Sequence, residues 1–159
     1  MGITVKAELH YGYNLGDSET DGWQFAEVSD EEYNGTPTMP WWDEDGDGLA
    51  GQAEKVLLAA VGFTETDWSA DGYFDRQREA KARLGVAFEI TGYEGGRTLI
   101  VASGTERTAY SSEATEIDPA VLASTTTDAM DRQLADALRI LGITPKQDKP
   151  AWLLTCYYG

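Results

Sequence analysis

VAFEITGYEGGRTLIVAS, residues 86–103, consists of two apolar, β-branched runs joined by a glycine-rich turn. In the first run Val86, Phe88 and Ile90 alternate with Ala87, Glu89 and Thr91. Period-two alternation is the signature of a strand with one buried face. YEGG at 93–96 supplies the turn, and RTLIVAS returns as the second strand. This hairpin predicts an antiparallel sheet.

Working outward, residues 3–11 alternate in the same way. Ile3, Val5, Ala7, Leu9 and Tyr11 are expected to face the core, with Thr4, Lys6, Glu8 and His10 outward. WQFAEV (23–28), the stretch Arg107–Tyr110 and AWLLTCYY (151–158) read as further strands. Helices are predicted at 50–61, at 72–84 and from about 125 to Leu141, with a short one opened by Asp118 and Pro119. The first is almost wholly apolar after Lys55 and is expected deep in the core. Thr64–Asp67 and Thr125–Asp128 have the spacing of capping boxes. Gly85 and Gly142 are expected to stop the second and last long helices. Interspersed strands and helices with a central hairpin predict an α+β fold, a mostly antiparallel sheet with three to four helices packed on one face. No linker or repeat divides residues 1–159, so a single domain is expected, with one long acidic loop at 29–48.

Charge is unevenly distributed. The chain has 28 acidic and 12 basic residues, a net charge of −16. From Ala7 through Glu54 there are thirteen acids and no Lys or Arg. Such a surface repels nucleic acid and anionic membrane and attracts cations or basic proteins. The N-terminal alternation is not a signal-peptide pattern, and no apolar run reaches membrane-span length, so a cytoplasmic protein is expected.

Catalytic constellations are not evident. The single cysteine, Cys156, lies in an apolar run and reads as a small core residue. The single histidine, His10, is expected to be exposed or hydrogen-bonded. One of each excludes an internal disulfide and Cys- or His-rich metal chemistry within the chain. Paired carboxylates could serve a hydrolase, but with 28 acids any one pairing carries little information.

PWWDEDGDGLAGQAEKVLL, residues 40–58, carries the candidate site. Asp43, Asp45 and Asp47 alternate, Gly48 follows, and Glu54 closes a twelve-residue span. Hard oxygen donors at this spacing suit calcium, which takes six to eight oxygens. The segment resembles the EF-hand calcium loop, D-x-D-x-D-G-x₅-E. That resemblance implies Asp43, Asp45, Asp47, the Leu49 carbonyl and a bidentate Glu54 as ligands, with calcium as the cofactor. Ala50 and Gly51 depart from the usual eighth and ninth positions, and Gly35, Pro37 and Pro40 leave no room for an entering helix. A solitary loop with an exit helix, weak in affinity and structural in role, is the expectation; an open, solvated acidic turn is the alternative. Trp41 and Trp42 beside it are expected either to form a binding patch or to cover the core.

As a whole, the Asp-, Gly- and Trp-rich chain with its YGYNLG…DGW opening resembles small uncharacterised proteins of actinobacteriophages. The resemblance implies an accessory or recognition module acting on a host protein. A second expectation, from charge, is an acidic decoy for the basic groove of such a protein.

Overall fold

A computed structural model describes residues 5–29, 35–91 and 96–158 of the chain. In order along the sequence the elements are β1 (Val5–Gly16), α1 (Leu49–Ala60), α2 (Tyr73–Leu84), β2 (Val86–Thr91), β3 (Arg97–Ala102), β4 (Arg107–Tyr110), α3 (Pro119–Thr125), α4 (Asp128–Leu141) and β5 (Ala151–Tyr158). The fold is α+β, and all four strand pairings are antiparallel. The 93–96 turn, apart from Gly96, lies outside the described residues, as do Ile3 and Thr4.

β1 is the strand on which the sheet is assembled. On one edge it pairs with β5 throughout Val5–Gly12. On the other it pairs with β4 through Lys6–Leu9 and with β3 through Gly12–Gly16. β3 and β4 thus run end to end along the same edge, and β2 lies outside β3. Thr105 bridges the break between them. Its hydroxyl accepts from the Tyr11 N–H at 3.2 Å and donates to the Ala102 carbonyl at 2.7 Å.

One face of the sheet shares a core with α1 and α4. Tyr13, Leu15, Val86, Ile100 and Ala102 share a core with Leu49, Ala53 and Leu57 of α1 and Leu134, Ala137, Leu138 and Leu141 of α4. α4 follows its predicted amphipathic pattern, and Gly142 ends it at φ 66°. α2 packs on α1 through a smaller cluster of Leu58, Phe63 and Ala80. No residue of α3 is buried.

The opposite face is enclosed by the sheet itself. Three strand spacings separate β2 from β5, about 14 Å in a flat sheet. Their Cα atoms instead come within 8 Å. The sheet therefore curls, and Glu8, His10, Leu99 and Val101 are buried inside the curl without joining either helix-bearing cluster. Gly12 sits where β1 hands over from β4 to β3. A Cβ there would lie 2.0 Å from the Ile100 carbonyl oxygen, so only glycine admits this close approach.

This curl corrects the expected orientation of β1. Glu8 and His10, expected outside, are 6% and 2% exposed, whereas Val5, Ala7 and Leu9 are only partly buried. Cys156, expected in the core, is exposed, because it shares a face of β5 with Leu154, which is itself 72% exposed. WQFAEV forms isolated bridges rather than a strand, with Trp23 pairing with Gly16, Phe25 with Pro145 and Val28 with Pro37. α1 is buried on one face only; Ala59 and Ala60 are exposed. Thr64 caps no helix, since α2 begins at Tyr73 after Gly72. Thr125 belongs to α3, and α4 is capped by Thr127, whose hydroxyl accepts from the Met130 N–H at 3.3 Å. The Asp118 cap with proline after it is present as expected.

Gly12→Ala should destabilise the protein by about 3 kcal/mol, at the upper end for forcing a methyl group into packed structure. Urea unfolding midpoints of the two proteins provide the check.

Candidate functional site

The acidic turn is held by a glutamine. Gln52, on the buried face of α1, is 7% exposed. Its Oε1 accepts from the Asp43 N–H at 2.8 Å, and its Nε2 donates to the Asp43 carbonyl at 2.7 Å and to the Asp47 carbonyl. Gly46 N–H also donates to the Asp43 carbonyl, at 3.1 Å. One amide side chain thus fixes both ends of the turn through its backbone. The carboxylates of Asp43, Asp45 and Asp47 are left on the exposed side.

The five proposed ligands are not gathered at one point. Asp43 Oδ1 accepts from the Asp45 N–H at 3.1 Å. Asp47 is paired with Lys55, whose ammonium holds its carboxyl below the usual range. Glu54 is paired with Lys81 of α2 at 2.7 Å. Leu49 opens α1, where carbonyls point along the helix axis to the next turn. Half of the twelve-residue span is therefore helix. Among the described residues no three His, Cys, Asp or Glu side chains are grouped to hold a metal ion.

Trp41 and Trp42 are both partly buried and pack against the main core. The Trp41 indole N–H donates to the Leu141 carbonyl at 2.7 Å, tying the loop to the end of α4. Trp42 turns the other way and meets Trp23 edge to face, with centroids 6.4 Å apart. These two rings wall a cavity of about 680 Å³ that also reaches Gly48, Leu49 and Ala50 at the start of α1, Ile90 on β2 and Thr98 on β3. The cavity therefore adjoins the acidic turn.

Asp17 forms part of the cavity lining at the end of β1. Its carboxylate is 2% exposed and accepts from the Glu19 N–H at 2.8 Å and from the Thr20 hydroxyl at 2.6 Å. Burial works to raise its pKa, but the Thr20 and Glu19 donors and Arg97, 3.7 Å away, prevail and hold it below 3.8.

A second polar group lies inside the curl. His10 Nε2 is 3.6 Å from Glu8 Oε2 and has no hydrogen-bond partner. His10 is thus neither exposed nor hydrogen-bonded through Nε2, contrary to expectation. Burial tends to raise the Glu8 pKa, but Lys6 and His10 lower it overall. Glu89 is raised, first by burial and further by Glu8 and Glu106.

Comparison with family models, curated proteins and solved structures returns no match. No helix among the described residues is long and apolar enough to cross a membrane.

The sequence pattern drew attention to the aspartates and the tryptophan pair but not to Gln52, Asp17, Trp23 or Thr98. Gln52 had one signal, a polar residue on the apolar side of a helix. The others come together only through the tertiary fold.

Two outcomes test this geometry. Gln52→Leu should free the turn and cost about 2 kcal/mol, because the Asp43 and Asp47 backbone groups lose their partner; thermal melts and protection of the Asp43 and Gly46 amides measure it. Asp17 has a lowered folded-state pKa, so its stabilisation is complete above about pH 4 and is lost as pH falls through the lowered value. Asp17→Asn should therefore destabilise by about 1–2 kcal/mol at neutral pH and flatten the acid limb of a stability–pH curve.

Proposed function

We propose that the domain is a calcium-binding recognition module, with the ion taken up at the Asp43–Asp47 turn. The observation that carries this reading is the division of labour in the turn. Gln52 holds the backbone, while three alternating carboxylates remain on the exposed side with Lys55 paired to Asp47. Drawing those carboxylates together raises their mutual repulsion, and a divalent cation offsets it. Hard carboxylate oxygens on side chains free to adjust suit calcium better than magnesium, which keeps more of its water.

Leu49 and Glu54 are poorly placed for the complete EF-hand set. The reading that fits gives the ion to Asp43, Asp45 and Asp47 with water in the remaining positions, and Glu54 joins only by leaving Lys81. A dissociation constant of about 10⁻⁴ to 10⁻³ M follows from so few protein ligands. The exposed acids of this stretch, among them Asp43, Glu44, Asp45 and Asp47, would then present a surface to a basic partner, a host protein if the chain is an accessory protein of a phage. An acidic decoy draws on the same charge but needs no ion.

Terbium titration monitored by tryptophan-sensitised luminescence tests the proposal, with Trp42 adjacent to the turn as the donor. Saturable emission, displaced by millimolar calcium and lost in Asp45→Asn, is expected. Lys55→Met should tighten binding several-fold by removing the competing ammonium. Absence of emission, or emission unchanged in Asp45→Asn, contradicts the reading.

A further inference from the structure

The sheet face that carries Tyr11, Tyr13 and Leu15 is covered by α1 and α4 along only part of its length. Tyr13 and Leu15 lie in the core, and Tyr11 marks the boundary. Its hydroxyl donates to Asp131 of α4 at 2.9 Å, and its ring meets Trp152 of β5 with centroids 5.4 Å apart. Beyond it Ala7 and Leu9 continue the same face but belong to neither helix-bearing cluster. Strand register sets their neighbours. Leu9 is flanked by Leu154 on β5 and Arg107 on β4, and Ala7 by Cys156 and Ala109. Cross-strand partners point to the same side of a sheet, so these six residues form two rows on one face. None of the six is buried; Cys156 is exposed, and Leu154 protrudes furthest.

Beside β4 the same face has a depression. Arg107, Ile117, Val121 and Leu122 line a groove of about 250 Å³, together with Thr115, Glu116 and Asp118. Ile117 and Val121 are exposed there. Two of the charged members are already engaged. Arg107 donates to the Glu106 carbonyl at 2.8 Å, and Asp118 accepts from the Ala120 N–H at 2.8 Å. The groove has room for one aliphatic side chain.

Leu154 and Arg107 stand on opposite sides of Leu9, each one strand spacing away, about 4.8 Å. A two-fold axis lying over β1 and along it therefore carries Leu154 of one copy above the Arg107 groove of the other, and the reverse contact follows. Reciprocal contact of this kind is what an isologous dimer requires. Charge favours the same occupant. Each chain carries a net charge of −16, so two copies repel over most of their surface. The two rows hold a single charge, that of Arg107, and the groove's Glu116 and Asp118 meet a leucine rather than an acid. A basic partner would seek exposed acids, which these rows lack.

We propose that this part of the sheet face is a contact between two copies of the chain, with Leu154 of each seated in the groove between β4 and α3 of the other. A face three strands wide makes a small interface and a weak dimer, with a dissociation constant of about 10⁻⁴ M. Calcium has no part in it.

Sedimentation velocity of the intact protein from about 1 µM to 1 mM, with a chelator present, reads the association. The rate at which iodoacetamide alkylates Cys156 reads the face itself, since the dimer covers this thiol. Leu154→Glu sets a carboxylate against Glu116 and Asp118, and Val121→Glu alters the groove from α3, none of whose residues is buried. Thermal melts confirm that both variants are folded. The expected result is a monomer–dimer equilibrium in which Cys156 reacts about fivefold more slowly at the highest concentration. Added salt should strengthen it by screening the repulsion between acids. Both variants should remain monomeric, with Cys156 equally reactive at every concentration. A wild-type chain that stays monomeric throughout, a dimer in which Cys156 reacts unslowed, a dimer weakened by salt, or one that survives both substitutions overturns the proposal. With metal chelated, failure of the acidic turn to bind calcium leaves each of these outcomes unchanged.

Discussion

β1 is hydrogen-bonded on both edges, and its partners change midway along one of them. β5 lies along one side; β4 and then β3 share the other. The handover occurs at Gly12, where the Ile100 carbonyl comes closer than any side chain would permit. A sheet bent at that point curls toward its own edge. The interior of the curl then takes up Glu8 and His10, while the outer face is left for Tyr13 and Leu15 to meet α1 and α4. Alternation along a single strand thus puts Glu8 and His10 inside the curl with Leu99 and Val101, and Tyr13 and Leu15 against the helices.

The site follows from the C-terminal end of the same strand. Gly16 pairs with Trp23, and Asp17 folds the intervening loop back by accepting from Glu19 and Thr20. Trp23 is thereby set against Trp42, whose neighbour Trp41 is tied to the last turn of α4. Gln52 closes the acidic turn by bonding to its backbone. Rigidity in the turn therefore comes from amide hydrogen bonds and indole packing. Its carboxylates lie on the exposed side, where Asp43 accepts from the Asp45 N–H and Asp47 pairs with Lys55.

Much of the architecture is readable from period and punctuation. The 86–103 hairpin, α4 with its apolar stripe, and β5 follow from local rules, because each has one buried face or a strong stop signal. The strand at 3–11 was legible as a strand but not in its orientation. Alternation tells which residues share a face; it does not tell which face closes when the sheet curls, and here a glutamate and a histidine lie inside. WQFAEV carries strand propensity yet bridges three partners, since its neighbours are fixed by distant parts of the chain. The aspartate spacing at 43–47 was plain, and so was the helix that follows it; what the spacing did not show is that Glu54, carried on that helix, pairs with Lys81 away from the turn. The Gln52 clamp depends on contact between the helix and the loop before it. Trp23, Asp17 and Thr98 meet in one cavity from separate elements, which no local pattern encodes.

Native-state amide hydrogen exchange tests the central claim, that β1 is the doubly paired strand on which sheet and site depend. The account predicts that the described amides of β1 from Leu9 to Asn14 exchange only by global unfolding, including those facing β5, with β2 amides on the outer edge far less protected. Rapid exchange of the β5-facing amides, or protection in β2 equal to that in β1, would contradict it.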